Sequence, residues 1–165
     1  MKKRFKAAVV TVSDTRMPAD DQSGDRLAEL LIAAGFDVVG RLIVTDDEPG
    51  IRTALFSLCE QPNINLIATT GGTGFSPRDN TPEATRAVIQ REAPGLAEAM
   101  RRETASKTPM AMLSRGVCGI RGKTLIVNLP GSTKAVEECF EVIRPVLEHA
   151  NGLLTGEERG PSHSS

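Results

Sequence analysis

The chain has 165 residues, a formal net charge of −1, 39% hydrophobic and 3% aromatic residues. That length supports one well-packed core, and the near-neutral charge offers no field that would draw in nucleic acid or an anionic membrane. Five Phe with no Trp or Tyr exclude a recogniser that stacks bases on aromatic platforms. No signal peptide and no apolar run of about 18 residues is present, so a cytoplasmic protein is expected.

The elements alternate along the chain. Lys2, Lys3, Arg4 and Lys6 form a short basic start that reads as a solvated lead into a first strand over 6–12, KAAVVTV. Residues 24–34 place Leu27, Leu30, Leu31 and Ala34 at helical spacing, and Gly35 closes the helix. A second strand is predicted over 36–44, and a helix over 49–59 with Ile51, Leu55 and Leu58 on one face. Residues 63–69 read as a third strand, and 81–91 and 94–106 as helices, the latter burying Leu96, Ala99 and Met100. A further strand covers 123–129, and a last helix 132–154 carries Pro145, a candidate bend. This is one domain over 1–154 with a polar tail, 155–165, that reads as disordered. Alternation of this kind predicts parallel strands with helices on both faces.

Cys59, Cys118 and Cys139 form no CxxC pair and read as free buried thiols. His149 and His163 have no metal-ligand spacing, which argues against zinc.

The most informative stretch is TTGGTGFSPRDNTPEAT, residues 69–85. A strand leads into Gly71, Gly72, Thr73 and Gly74. The pair Arg78 and Asp79 follows. Thr81, Pro82 and Glu83 then open a helix, with Thr81 expected as its cap. Strand, glycine loop and helix start bring backbone N–H groups against a phosphate, and an Asp beside them can hold Mg²⁺. It is no Walker loop: Gly122-Lys123-Thr124 would need glycine at Val117. GxGxxG also fails, at Pro77. A glycine turn that only caps a helix remains the plain alternative.

Ligands in such sheets sit at the carboxyl ends of strands. Loops there carry Ser13 and Asp14, then Asp46, Asp47 and Glu48, then 71–79, then Pro130, Gly131 and Ser132. Each has a simpler reading: an ordinary turn for Ser13 and Asp14, first-turn acids for 46–48, a helix start capped by Ser132.

Taken together, TVSDT (11–15), VTDDE (44–48), residues 69–85 and AMLSRGVCGIRGKTLIVNLPGS (111–132) resemble the molybdopterin adenylyltransferase family, the MogA and MoaB proteins and the G domains of plant molybdenum insertase and gephyrin. The resemblance runs from about Lys6 to Leu154 and implies a three-layer α/β/α sandwich with a mostly parallel sheet. It implies Mg²⁺- and ATP-dependent adenylylation of molybdopterin, release of pyrophosphate, and transfer of the product to a separate molybdenum insertase. Asp46 and Asp79 match catalytic aspartates and would hold Mg²⁺. Ser114 matches a pocket serine; Arg115 and Lys123 would suit the pterin and its phosphate, and Arg78 would add charge. Relatives often place Pro where this chain has Thr45, which bears on loop shape rather than chemistry.

The resemblance also implies a homotrimer or a dimer of trimers. Met100, Met110, Met112 and Val117 are the expected apolar contributors. Two other readings are a non-catalytic molybdopterin carrier or scaffold, which loss of either aspartate would favour, and a nucleotide pyrophosphatase on the same fold, whose glycine loop typically carries two adjacent acids where this chain has Arg78 and Asp79. The insertase itself carries this fold within a longer chain than 165 residues.

Overall fold

A computed structural model describes residues 4–157. Lys2, Lys3, His163 and residues 158–165 of the predicted tail lie outside the described residues. Strands β1 (Lys6–Val12), β2 (Asp37–Val44), β3 (Leu66–Thr70), β4 (Arg91–Glu92), β5 (Cys118–Arg121) and β6 (Thr124–Leu129) form one sheet in the order β2-β1-β3-β6-β5-β4. The first four strands of that order are parallel, while β5 runs antiparallel to β6, and β4 to β5. Helices α1 (Gln22–Ala33), α2 (Glu48–Glu60), α3 (Thr81–Val88), α4 (Pro94–Thr104) and α5 (Thr133–Thr155) cover it.

Period-two alternation in the central strands divides the core. Ala7, Val9, Leu66, Ala68, Leu125 and Val127 face α1, α4 and α5. Their neighbours Ala8, Val10, Ile67 and Ile126 face α2 and α3. Strands buried on both faces must read as continuous apolar runs, which is why β1, β3 and β6 were legible. The result is the expected three-layer sandwich. Among the described residues no helix is long and apolar enough to cross a membrane.

Several boundaries differ from expectation, each for a physical reason. The helix predicted over 81–91 ends at Val88: Ile89 is extended (ψ 149°) and the Gln90 N–H donates to Ile120 O, starting β4. The segment between Gly116 and Gly122, where no strand is predicted, contains β5, with Gly122 (φ 58°) turning the chain into β6. In α4 the buried residues are Ala97, Met100 and Thr104, whereas Leu96 and Ala99 are half-buried. Helix α5 continues through Pro145 and ends at Thr155, capped by Gly156 at φ 74°, so the first two residues assigned to the tail, Thr155 and Gly156, belong to the helix and its cap.

Cys59, Cys118 and Cys139 are free. Burial pushes their thiols up, to about 12 for Cys118 and about 11 for Cys59 and Cys139.

Candidate active site

The strand-end loops meet, as predicted. The Ser13 N–H donates to Val44 O at 2.9 Å, joining the loops after β1 and β2. Asp14 then ties three loops together: Oδ1 accepts the Asp46 N–H at 2.9 Å, and Oδ2 accepts Nε and Nη2 of Arg78 at 2.9 and 2.6 Å. The Asp46 N–H and the Arg78 guanidinium hold the Asp14 carboxyl below its ordinary value. Asn80 Nδ2 donates to Asp46 O at 3.2 Å.

The acids at 46–48 separate by role. Asp47 caps α2, accepting the Gly50 N–H at 2.7 Å, and also takes the Thr45 hydroxyl at 2.6 Å. Glu48 pairs with Arg52 within the helix. For both, the simpler reading holds. Asp46 has no such employment, and its pKa is raised, first by burial and then by the nearby charges of Asp14 and Asp79.

The glycine loop is held from below. Gly71 and Gly72 have φ of 100° and 70°, which side-chain-bearing residues rarely adopt. The Gly71 N–H donates to Leu129 O, so it is not available to a phosphate. Among the described residues no acceptor takes the Gly72, Thr73 or Gly74 N–H. Thr81 is not the helix cap: fully buried, it donates its hydroxyl to Gly71 O at 2.9 Å and its N–H to Gly72 O. Asp79 Oδ2 accepts the Ser76 N–H at 3.0 Å and would lie 2.9 Å from a Cβ on Gly74. The fourth loop closes against this one. Thr70 donates its hydroxyl to Pro130 O at 2.7 Å, and a Cβ on Gly131 would sit 3.3 Å from Gly71 Cα. Ser132 caps α5 through the Ala135 N–H.

Two regions share this rim. One is a cleft of about 660 Å³ bounded by Gly72, Thr73, Gly74, Phe75, Asp79, α4, Ser114, Gly131, Ser132 and the first turns of α5. Its size suits a heterocyclic ligand. The other is an acid-rich shelf built by Asp14, Asp46 and Arg78, which do not line the cleft. Asp79 belongs to both: it lines the cleft and acts electrostatically on Asp46.

Among predicted residues, Lys123 is not brought here. It sits at the other end of β6, beside a hollow of about 250 Å³ with Arg4 and Lys6. Arg115 is present but turned inward, its guanidinium donating to Gly74 O and Asp79 O at 2.8 Å and to Glu83. Arg101, Lys107 and Lys134 also stand in the cleft wall, outside the set of residues expected there. Lys134 had a usable signal, since a cation in the first turn of a helix opposes the dipole. Arg101 and Lys107 carried none.

Among the described residues no three His, Cys, Asp or Glu side chains converge as a ready-made metal cage. Asp46 and Asp79 do offer two hard oxygen donors, and Mg²⁺ uses one or two carboxylates completed by substrate phosphates and water.

Burial of Asp46, with the like charges beside it, has a measurable consequence. A carboxyl with a raised folded pKa costs stability above that pKa and nothing below its unfolded value, 3.8. Asp46→Asn should therefore melt slightly above wild type at pH 7. The difference should vanish as the pH falls below about 4. Calorimetry showing Asp46→Asn less stable at pH 7 would mean that Asp46 is a structural partner instead.

Comparison with known proteins bears on the family and the fold. The family described as a probable molybdopterin binding domain matches residues 8–149. Over 150 residues the chain is 46% identical to the molybdenum cofactor synthesis protein cinnamon of Drosophila melanogaster, covering 88% of this chain and 25% of that protein. It is 43% identical over 114 residues to molybdopterin adenylyltransferase of Helicobacter pylori, covering 69% of this chain and 65% of the relative. The chain thus spans a quarter of the one and just under two thirds of the other. The crystal structure of the molybdopterin biosynthesis enzyme MoaB from Thermus thermophilus superposes with a TM-score of 0.85 at 46% identity, covering 92% of this chain and 97% of that one.

Proposed function

The chain belongs to the molybdopterin binding domain family of molybdenum cofactor biosynthesis, and on that premise we propose that it is a molybdopterin adenylyltransferase. In the reaction, the terminal phosphate of molybdopterin attacks the α-phosphate of ATP. A new phosphate–phosphate linkage forms, the α–β linkage breaks, and pyrophosphate leaves. The observation that carries this reading is the position of Asp79 between a heterocycle-sized cleft and an acid-rich shelf. A two-substrate transfer needs such a junction; a simple carrier does not.

Asp46 and Asp79 would hold Mg²⁺, which when bound supplies positive charge to the phosphate oxygens. The chain's own groups do the positioning. The N–H groups of Gly72, Thr73 and Gly74 bind a phosphate oxygen. Arg78, held by Asp14, is within the same shelf to share phosphate charge. Met100 and Leu113 offer apolar wall to the pterin, with Ser114 as a polar contact. An ionised phosphate nucleophile needs no general base, so alignment and charge screening carry the catalysis.

The test is pyrophosphate release that depends on both molybdopterin and ATP. Release from ATP alone would point to the pyrophosphatase reading, and tight pterin binding with no release to the carrier reading.

The active form is proposed to be a trimer, or a dimer of trimers, in the cytoplasm, passing its product to a separate insertase. Of the apolar residues expected at the interface, Met100 and Val117 are buried within their own domain, but Met110 and Met112 are 64% and 71% exposed. Phe75 is exposed as well, and together they form an apolar surface that association would cover. Sedimentation at micromolar concentration should give about three times the 17.6 kDa of one chain, or six. A monomer mass would overturn the trimer and leave the enzymatic proposal standing.

A further inference from the structure

Arg115 joins the cleft wall to the loop that carries Asp79. Its backbone N–H donates to Thr73 O at 2.7 Å. Its guanidinium reaches Gly74 O through Nε and Asp79 O through Nη2, both at 2.8 Å. The same guanidinium grips both Glu83 oxygens, at 2.7 and 3.1 Å. One side chain thus fixes both ends of the loop between Thr73 and Asn80, and the first turn of α3 supplies its counter-charge. Ser114, the preceding residue, lines the cleft.

This arrangement is poorly suited to stability and well suited to alignment. The Arg115 and Glu83 side chains are 34% and 48% exposed, and exposed ion pairs add at most about 1 kcal/mol. A fork with four of its donors committed to the loop and Glu83 has little left for a ligand. What it does hold is the carbonyl of Asp79, the residue shared by cleft and shelf. A misplacement of about 1 Å there can cost roughly a hundredfold in rate.

The geometry points to Glu83 and Arg115 as a positioning clamp that keeps the Asp79 carboxylate in register with Ser114 across the cleft. Glu83 touches neither substrate; it acts by orienting Arg115. The inference rests on the adenylyl-transfer reading for its kinetic consequence, but the clamp itself can be tested without it.

Glu83→Gln presents an amide N–H₂ to a guanidinium and loses the ion pair. Arg115→Lys keeps the charge and loses the planar fork. In both, the melting temperature should stay within a few degrees of wild type. In Glu83→Gln, hydrogen exchange at the Ser76 and Asp79 amides should rise at least about tenfold, while exchange in the core strands stays unchanged. For adenylyl transfer, kcat should fall roughly 10- to 100-fold in both variants, with KM for molybdopterin and ATP changing less than about threefold. Unchanged loop exchange in Glu83→Gln overturns the clamp whether or not the protein transfers adenylyl groups. A rise in KM at unchanged kcat in Arg115→Lys also overturns it, because Arg115 would then be a ligand contact. Absence of transfer by the wild type would instead sink the proposed function and leave the exchange result to decide the clamp.

Discussion

Asp79→Asn is expected to fold as wild type and to lose at least about a hundredfold in adenylyl transfer, the usual order for a preorganised electrostatic group. Asparagine is nearly isosteric and keeps an oxygen to accept the Ser76 N–H, so the loop hydrogen bond at 3.0 Å survives. The Asp79 backbone carbonyl held by Arg115 is untouched. What disappears is the negative charge where the cleft meets the shelf, and with it one of two candidate Mg²⁺ ligands. The loss should appear in kcat and in a weaker response to magnesium, with a melting temperature within a few degrees of wild type. Wild-type turnover would reduce Asp79 to a loop-shaping residue, and a large drop in melting temperature would make it part of the fold.

The second large effect falls on stability. Gly71 sits at φ 100°, and a Cβ there would lie 2.4 Å from the Val12 carbonyl oxygen. That oxygen belongs to the end of β1, so relief would require the sheet itself to move. Gly71→Ala should cost about 3 kcal/mol or more, combining a strained backbone with a clash, and lower the melting temperature by roughly 6–12 °C. Gly95 is the control. Nothing lies within 4 Å of a Cβ there, and the residue is in the first turns of α4, so Gly95→Ala should be neutral or slightly stabilising. A small effect at Gly71 would show that the loop relaxes freely and is not the rigid frame described here. Gly72 follows the same logic. The sequence suggests that Gly72→Val would harm binding before stability. At φ 70°, with a Cβ only 2.3 Å from Thr81 Oγ1 and 3.2 Å from a Val12 methyl, the fold suffers first.

The elements that were legible are those whose burial leaves a pattern. KAAVVTV and TLIVNL are apolar on both faces because helices cover both faces of the sheet, and the strand-end loops follow from that order. β4 and β5 left no such pattern. Arg91–Glu92 is two exposed residues, and Cys118–Arg121 contains a glycine and only four residues, so pairing rather than propensity makes them strands. The frame of the candidate site was legible where residue type is tied to backbone conformation, as at Gly71 and Gly72 with their positive φ. It was not legible where a long side chain could turn either way. Arg115 was expected to face the ligand and faces carbonyls instead. Lys107 lines the cleft because the segment after α4 meets it there, which no local spacing encodes. Thr81 had the right residue type for a cap, but its hydroxyl secures the glycine loop.

The most direct test of the proposed chemistry is to incubate the protein with molybdopterin, ATP labelled at the α-phosphate, and Mg²⁺, and to identify the products by chromatography and mass spectrometry. The label is expected in an adenylylated pterin, in equal amount to pyrophosphate, and at least about a hundredfold less of it with Asp79→Asn. Label found only in free AMP or ATP, with the pterin unmodified, would contradict the proposed chemistry.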